Sequence, residues 1–141
     1  MVTTRIIDSE PALIVEEERK NLVISDLHIG FEHKFSSNKN TIENNSSIKD
    51  IISNVKKIIK KENPETLILL GDVKSSIQNI TKTEWNDVPY FFEEIKNSLD
   101  IILIPGNHDS NIDRLIPNDV TLIGSKGMII DDILLTHGHT M

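Results

Sequence analysis

Asn21-Leu22-Val23-Ile24-Ser25-Asp26-Leu27-His28 joins an apolar run to an aspartate and, two residues on, a histidine. Residues 22–25 show no polar alternation, which predicts a strand covered on both faces. The pattern returns in outline further along. Leu67-Ile68-Leu69-Leu70 runs into Gly71-Asp72, and Ile101-Ile102-Leu103-Ile104 runs into Pro105-Gly106-Asn107-His108-Asp109. Ile133-Leu134-Leu135 runs into Thr136-His137-Gly138-His139. Four buried strands are thus expected, each delivering metal-binding or acid–base side chains at its C-terminal end.

The elements between these strands follow from periodicity. Arg5-Ile6-Ile7 and Ala12-Leu13-Ile14-Val15, parted by Asp8-Ser9-Glu10-Pro11, read as a β-hairpin or two adjacent strands. Residues 16–21 form a second polar turn. Residues 29–47 are polar apart from Phe31 and Phe35 and read as a loop with one helical turn. Ser47-Ile48-Lys49-Asp50 has the form of a capping box with Asp in place of Glu. Behind it, Ile48, Ile51, Ile52, Val55, Ile58 and Ile59 recur at helical spacing with lysines opposite, and Asn63-Pro64 ends the helix. Residues 66–70 are the next strand. A second helix carries Trp85, Val88, Phe91, Phe92, Ile95 and Leu99. Pro89 suits only a first turn, so this helix is expected to begin near Asp87. Its aromatic residues lie at helical spacing and read as core. After the strand at 101–104 come a short helix or turns at 110–117, then strands at 120–123, 128–130 and 133–135. Strand and helix alternate in the middle of the chain, which predicts an α/β sheet with parallel neighbours. Sites in such sheets form at the carboxyl ends of strands, so all four polar strand ends are expected on one edge.

A chain of 141 residues fits one domain, residues 1–141. With aromatic residues at 4%, the core must rest on Ile, Leu and Val. The absence of cysteine removes disulfides, thiolate catalysis and Cys-type zinc sites, and fits a reducing interior. No apolar stretch approaches the roughly 20 residues of a membrane span, and the N-terminus lacks a signal-peptide pattern. A cytoplasmic protein is expected. The formal charge of −7 excludes nucleic-acid binding through bulk electrostatics, so an anionic substrate must be attracted locally, as by two divalent cations.

Asp and Asn oxygens with His nitrogens make a mixed donor set that suits Mn, Fe, Zn or Ni better than Ca or Cu(I). Taken singly, each motif is also what a polar turn offers, since loops favour Gly, Asn and Asp. Taken together and in order, Asp26-x-His28, Gly71-Asp72, Gly106-Asn107-His108-Asp109 and His137-Gly138 resemble the successive motifs of the calcineurin-like metallophosphoesterase family. Asp-Leu-His-Ile-Gly-Phe-Glu and Gly-Asp-Val-Lys are also similar to small prokaryotic phosphoesterases of that family, which are often linked to DNA metabolism.

The resemblance implies an αββα sandwich and hydrolysis of a phosphomonoester or phosphodiester at two divalent metal ions, manganese first among the candidates. It implies that Asp26 and His28 hold the first metal, that Asp72 bridges both, and that Asn107 and His137 hold the second. It gives His108 the protonation of the leaving oxygen and Asp109 the orientation of the His108 imidazole. The implied partner is a phosphorylated substrate, such as a nucleotide or nucleic acid. His33 matches no motif and is expected as a surface side chain.

One departure bears on activity. The family's final Gly-His-x-His motif gives a further histidine to each metal, whereas this sequence ends Gly138-His139-Thr140-Met141. Either His137 is the isolated penultimate histidine and the final motif is absent, or His139 is the first histidine of a damaged final motif. The strand-then-His-Gly pattern before residue 138 favours the former. Both alignments imply that each metal lacks a ligand, and the sandwich is expected to lack its final strands. The alternative to an active phosphoesterase is a catalytically impaired metal-binding fragment, or a subunit completed by a homodimer partner or a separate C-terminal chain.

Overall fold

The computed structural model describes residues 2–7, 12–29, 46–74, 80–96, 99–106, 109, 111–124, 126–130 and 133–136. The strands are β1 (Thr3–Ile6), β2 (Ala12–Glu16), β3 (Lys20–Ile24), β4 (Thr66–Leu70), β5 (Asp100–Ile104), β6 (Val120–Leu122), β7 (Met128–Ile130) and β8 (Ile133–Leu135). Helix α1 (Ser46–Glu62) lies between β3 and β4, and α2 (Lys82–Ile95) between β4 and β5. The first six strands form one sheet in sequence order. β1, β2 and β3 pair antiparallel, and β3 to β6 pair parallel.

Period-two alternation sorts the central strands into two cores. Leu22, Ile24, Leu67, Leu69, Ile101 and Leu103 pack with Ile48, Ile52 and Val55 of α1 and with Val88, Phe91, Phe92 and Ile95 of α2. The residues between them, Val23, Ile68 and Ile104, pack with Ile130 and Leu135 of the β7–β8 hairpin. Each such fully buried aliphatic side chain stabilises the fold by about 1.5–3 kcal/mol. The described layers are therefore helices, a six-stranded sheet and a two-stranded sheet. This is the expected α/β arrangement, and the second helical layer of an αββα sandwich is not found among the described residues.

Local chemistry explains where elements begin and end. The β2–β3 turn is short because the Asn21 side-chain amide donates to the carbonyls of Val15 at 3.0 Å and Arg19 at 3.2 Å. That bonding also accounts for a buried asparagine in a strand. α1 ends at Asn63, whose positive φ of 50° turns the chain while its N–H donates to the Ile59 carbonyl at 2.7 Å. Buried Glu62 at the last turn receives Arg5 at 2.6 Å and Lys20 at 3.4 Å, tying α1 to β1 and β3. Gly127, at φ 98°, lets the chain enter β7 beside β8. A Cβ there would collide with the Leu135 carbonyl.

Four expectations are corrected. α1 starts at Ser46, so Ser47 lies inside the helix and is not its cap. α2 starts at Lys82 and not near Asp87, because Thr81 closes a full capping box with Glu84. Pro89 therefore sits inside the helix, where it removes the bond to the Trp85 carbonyl. Trp85 is 49% exposed and is not a core residue. Finally, β8 belongs with β7 to a separate sheet, so the carboxyl ends of β3, β4 and β5 share one edge of the main sheet, while residues 137–139 after β8 lie outside the described residues. The expected helical turn within residues 29–47 and the surface position of His33 lie outside the described residues.

Candidate metal centre

β3 and β4 are parallel neighbours, so their carboxyl ends leave the sheet side by side. Their backbones stay paired past the strands. The N–H groups of Asp26, His28 and Ile29 donate to the carbonyls of Gly71 at 3.1 Å, Asp72 at 3.0 Å and Val73 at 2.8 Å. A final parallel bridge joins Ile29 to Lys74. Along this extension Asp26, His28 and Asp72 have φ of 59°, 49° and 54°. Left-handed backbone is uncommon for residues other than glycine, and clusters of it mark places where surrounding structure holds the chain for a purpose.

That backbone gathers three donor side chains. His28 Nε2 lies 3.7 Å from Asp26 Oδ1 and 4.0 Å from Asp72 Oδ2. One ligand atom from each of the three residues lies within 4.8 Å of the others. Two ligands on one ion, each about 2.0–2.2 Å from it, are at most about 4.4 Å apart. Both histidine–carboxylate pairs already meet this limit, and the O/N donor chemistry suits a first-row divalent cation. The residues therefore fit a metal. Asp72 is buried and Asp26 half exposed, so the group is open on the Asp26 side. The Ser25 hydroxyl donates to Asp26 Oδ2 at 3.3 Å.

Asp109 lies beside this group and is buried. Its Oδ1 accepts from the Val73 N–H at 2.9 Å and the Lys74 N–H at 3.1 Å, and its Oδ2 from the Gly106 N–H at 2.9 Å. Burial pushes the Asp109 carboxyl above its ordinary value, and the Asp72 charge pushes the same way. The N–H groups of Gly106, Lys74 and Val73 oppose the shift.

Of the residues expected from sequence, the structure brings Asp26, His28 and Asp72 together and sets Asp109 against the Asp72 loop. Asn107, His108, His137 and His139 lie outside the described residues. Two features were missed. Lys74 is fully buried two residues after Asp72, although lysine is among the side chains least often buried; the Gly-Asp-Val-Lys resemblance includes it but does not foretell its burial. The three backbone partners of Asp109 were also missed, because hydrogen bonds between loops leave no periodic trace.

A family model described as calcineurin-like phosphoesterase matches residues 20–140. The chain belongs to the calcineurin-like phosphoesterase family. The match covers β3 to β8 and so every strand end discussed above. Among solved structures, the chain is similar to the crystal structure of Pseudomonas putida nuclease MPE. The TM-score is 0.58 at 17% identity, over 93% of this chain and 64% of that one. That likeness concerns the fold, and this chain spans under two thirds of the nuclease's length. Calcineurin-like phosphoesterases are metal-dependent hydrolases, and Asp26, His28 and Asp72 are the described group of this member that could hold a metal ion.

No helix among the described residues is long and apolar enough to cross a membrane.

Proposed function

We propose that this member hydrolyses a phosphomonoester or phosphodiester at a centre of two divalent cations, manganese foremost. The observation that carries the proposal is the convergence of Asp26, His28 and Asp72 on left-handed backbone at the carboxyl ends of β3 and β4. Asp26 and His28 would hold one cation, Asp72 would contribute to both, and Asn107 with His137 or His139 would hold the other. Divalent cations bound there would lower the pKa of water and neutralise phosphate charge. His108 would protonate the leaving oxygen, the role the family resemblance implies for it. Ser25 steadies the Asp26 carboxylate for its ligand role. A nucleotide or nucleic acid is the proposed substrate class. The fold shared with a nuclease supports it, and the net charge of −7 requires that attraction be local to the centre.

Mn²⁺ titration by calorimetry, together with hydrolysis of a chromogenic phosphodiester, tests this. Wild-type protein should bind Mn²⁺ and turn over. Asp72→Asn should lose at least about 100-fold in rate, as expected when a metal-holding carboxylate goes. Equal activity in the two proteins would sink the proposal.

A second reading, in which a homodimer partner or a separate C-terminal chain completes the site, is favoured by one observation. On the outer side of the β7–β8 hairpin, the paired residues Ile129 and Leu134 are exposed. Activity that rises more than linearly with protein concentration would support completion by a second copy, and strict proportionality would count against it.

A further inference from the structure

We propose that Asp109 is a positioning residue of the metal centre: its buried carboxylate clamps the loop carrying Asp72 to the backbone at Gly106, the residue before Asn107 in sequence. The inference rests on the metal-centre reading above. The clamp itself rests on geometry. Oδ1 takes the consecutive N–H groups of Val73 and Lys74, directly after Asp72, and Oδ2 takes the N–H of Gly106, directly before Asn107. An ionised carboxylate has about four acceptor positions. Three are spent on backbone from two loops, so most of the carboxylate's capacity joins backbone, and one position remains for the imidazole that the family resemblance implied it orients. Hydrogen bonds from backbone N–H to a carboxylate are charge-assisted and short, and a buried N–H that loses its acceptor is left costly to accommodate. The Asp109 N–H also donates to the Gly106 carbonyl at 3.1 Å, closing the second loop on itself. Removing the carboxylate frees the Asp72 loop from its neighbour, and with it the spacing between ligands that come from different strands.

Asp109→Asn is the informative variant. It keeps one oxygen for Val73 and Lys74 but presents an NH₂ to the Gly106 N–H, so the tie between the loops is lost at nearly constant side-chain size. Calorimetric Mn²⁺ titration of the folded variant should show affinity weakened roughly 10- to 100-fold, the range typical when a group supporting metal ligands is removed. Phosphodiester hydrolysis should return towards the wild-type rate at excess Mn²⁺, with the acid limb of its pH profile unmoved. Mn²⁺ affinity within twofold of wild type, with a displaced acid limb that excess Mn²⁺ does not restore, overturns the proposal and assigns Asp109 to His108. Wild-type protein that binds no Mn²⁺ sinks the metal-centre reading itself. NMR couplings across hydrogen bonds read the clamp without any substitution. The amides of Val73, Lys74 and Gly106 should couple to the Asp109 carboxyl carbon in the wild-type protein, and their absence overturns the clamp even if Asp109→Asn fails to fold.

Discussion

Side chains at Asp26, His28 and Asp72 carry two demands at once, donor chemistry and a left-handed backbone. Aspartate and asparagine accept that backbone more readily than most residues, whereas β-branched residues do not. Asp72→Asn should therefore melt near the wild-type temperature while losing metal affinity. Asp72→Val should lose stability as well, by about 1–3 kcal/mol, the usual cost of a residue forced into a sparsely populated conformation. Equal melting temperatures for the two variants, measured without metal, would show that the positive φ carries no strain. The donor identities were legible in the sequence because each follows an apolar run at a fixed offset. The conformation was not, since Asp-Leu-His reads the same whichever way the chain turns. Lys74 defeated sequence reasoning for a related reason: its burial comes from the pairing of its loop with Ile29 and not from its own character.

Helix ends and strand edges explain the largest differences from expectation. Trp85 lies roughly 70° around the helix from the centre of the stripe formed by Val88, Phe91, Phe92 and Ile95, at about 100° per residue. Spacing alone admitted it to the core; only the packing of α2 shows that the stripe is narrower. Pro89 alone points to a start of α2 near Asp87, yet the capping box of Thr81 and Glu84 satisfies two backbone groups at a first turn that begins at Lys82. Thr81→Ala should cost about 1 kcal/mol, read as a lower urea midpoint with unchanged slope. At the end of α1, Glu62 illustrates a charge placed against the helix dipole and held by Arg5 and Lys20. The hydrogen bond from Arg5 is the main cause that lowers its pKa from the ordinary 4.5 to about 2. In the folded protein Glu62 stays ionised below 4.5, where the unfolded chain takes up a proton. Its contribution to stability is thus present above pH 4.5, falls as pH drops below that value and is gone below about 2. Arg5→Met should flatten this part of the stability–pH curve, and an unchanged curve between pH 4.5 and 2 would remove Glu62 from the account.

The whole sheet was largely readable in advance: alternating strands and helices imply parallel neighbours, and β3 to β6 are parallel. What could not be read was where β7 and β8 go. Met128-Ile129-Ile130 looks like any other short apolar run. Its destination is set by the second face of the main sheet, where Val23, Ile68 and Ile104 need cover, and by the tight entry at Gly127. At this scale metal binding and stability are one equilibrium. The Asp26, His28 and Asp72 donors converge only in the folded chain, so a ligand at 100 times its Kd should raise stability by about 2.7 kcal/mol. Differential scanning calorimetry with and without Mn²⁺ should show that gain in wild type and lose most of it in Asp72→Asn. The same upward shift in both proteins would mean that the ion stabilises through some other place.

The extended pairing of residues 26–29 with 71–74 also has a kinetic meaning. Those two stretches are separated in sequence by the whole α1 crossover, and a long loop must close before their ladder can form. Contacts of such sequence separation are made late relative to local helix formation. The nascent chain thus has no cation trap while α1 is forming, and acquires one only when β3 and β4 have found each other. If Mn²⁺ binds there as proposed, the moment of its capture during refolding would time closure of the central sheet.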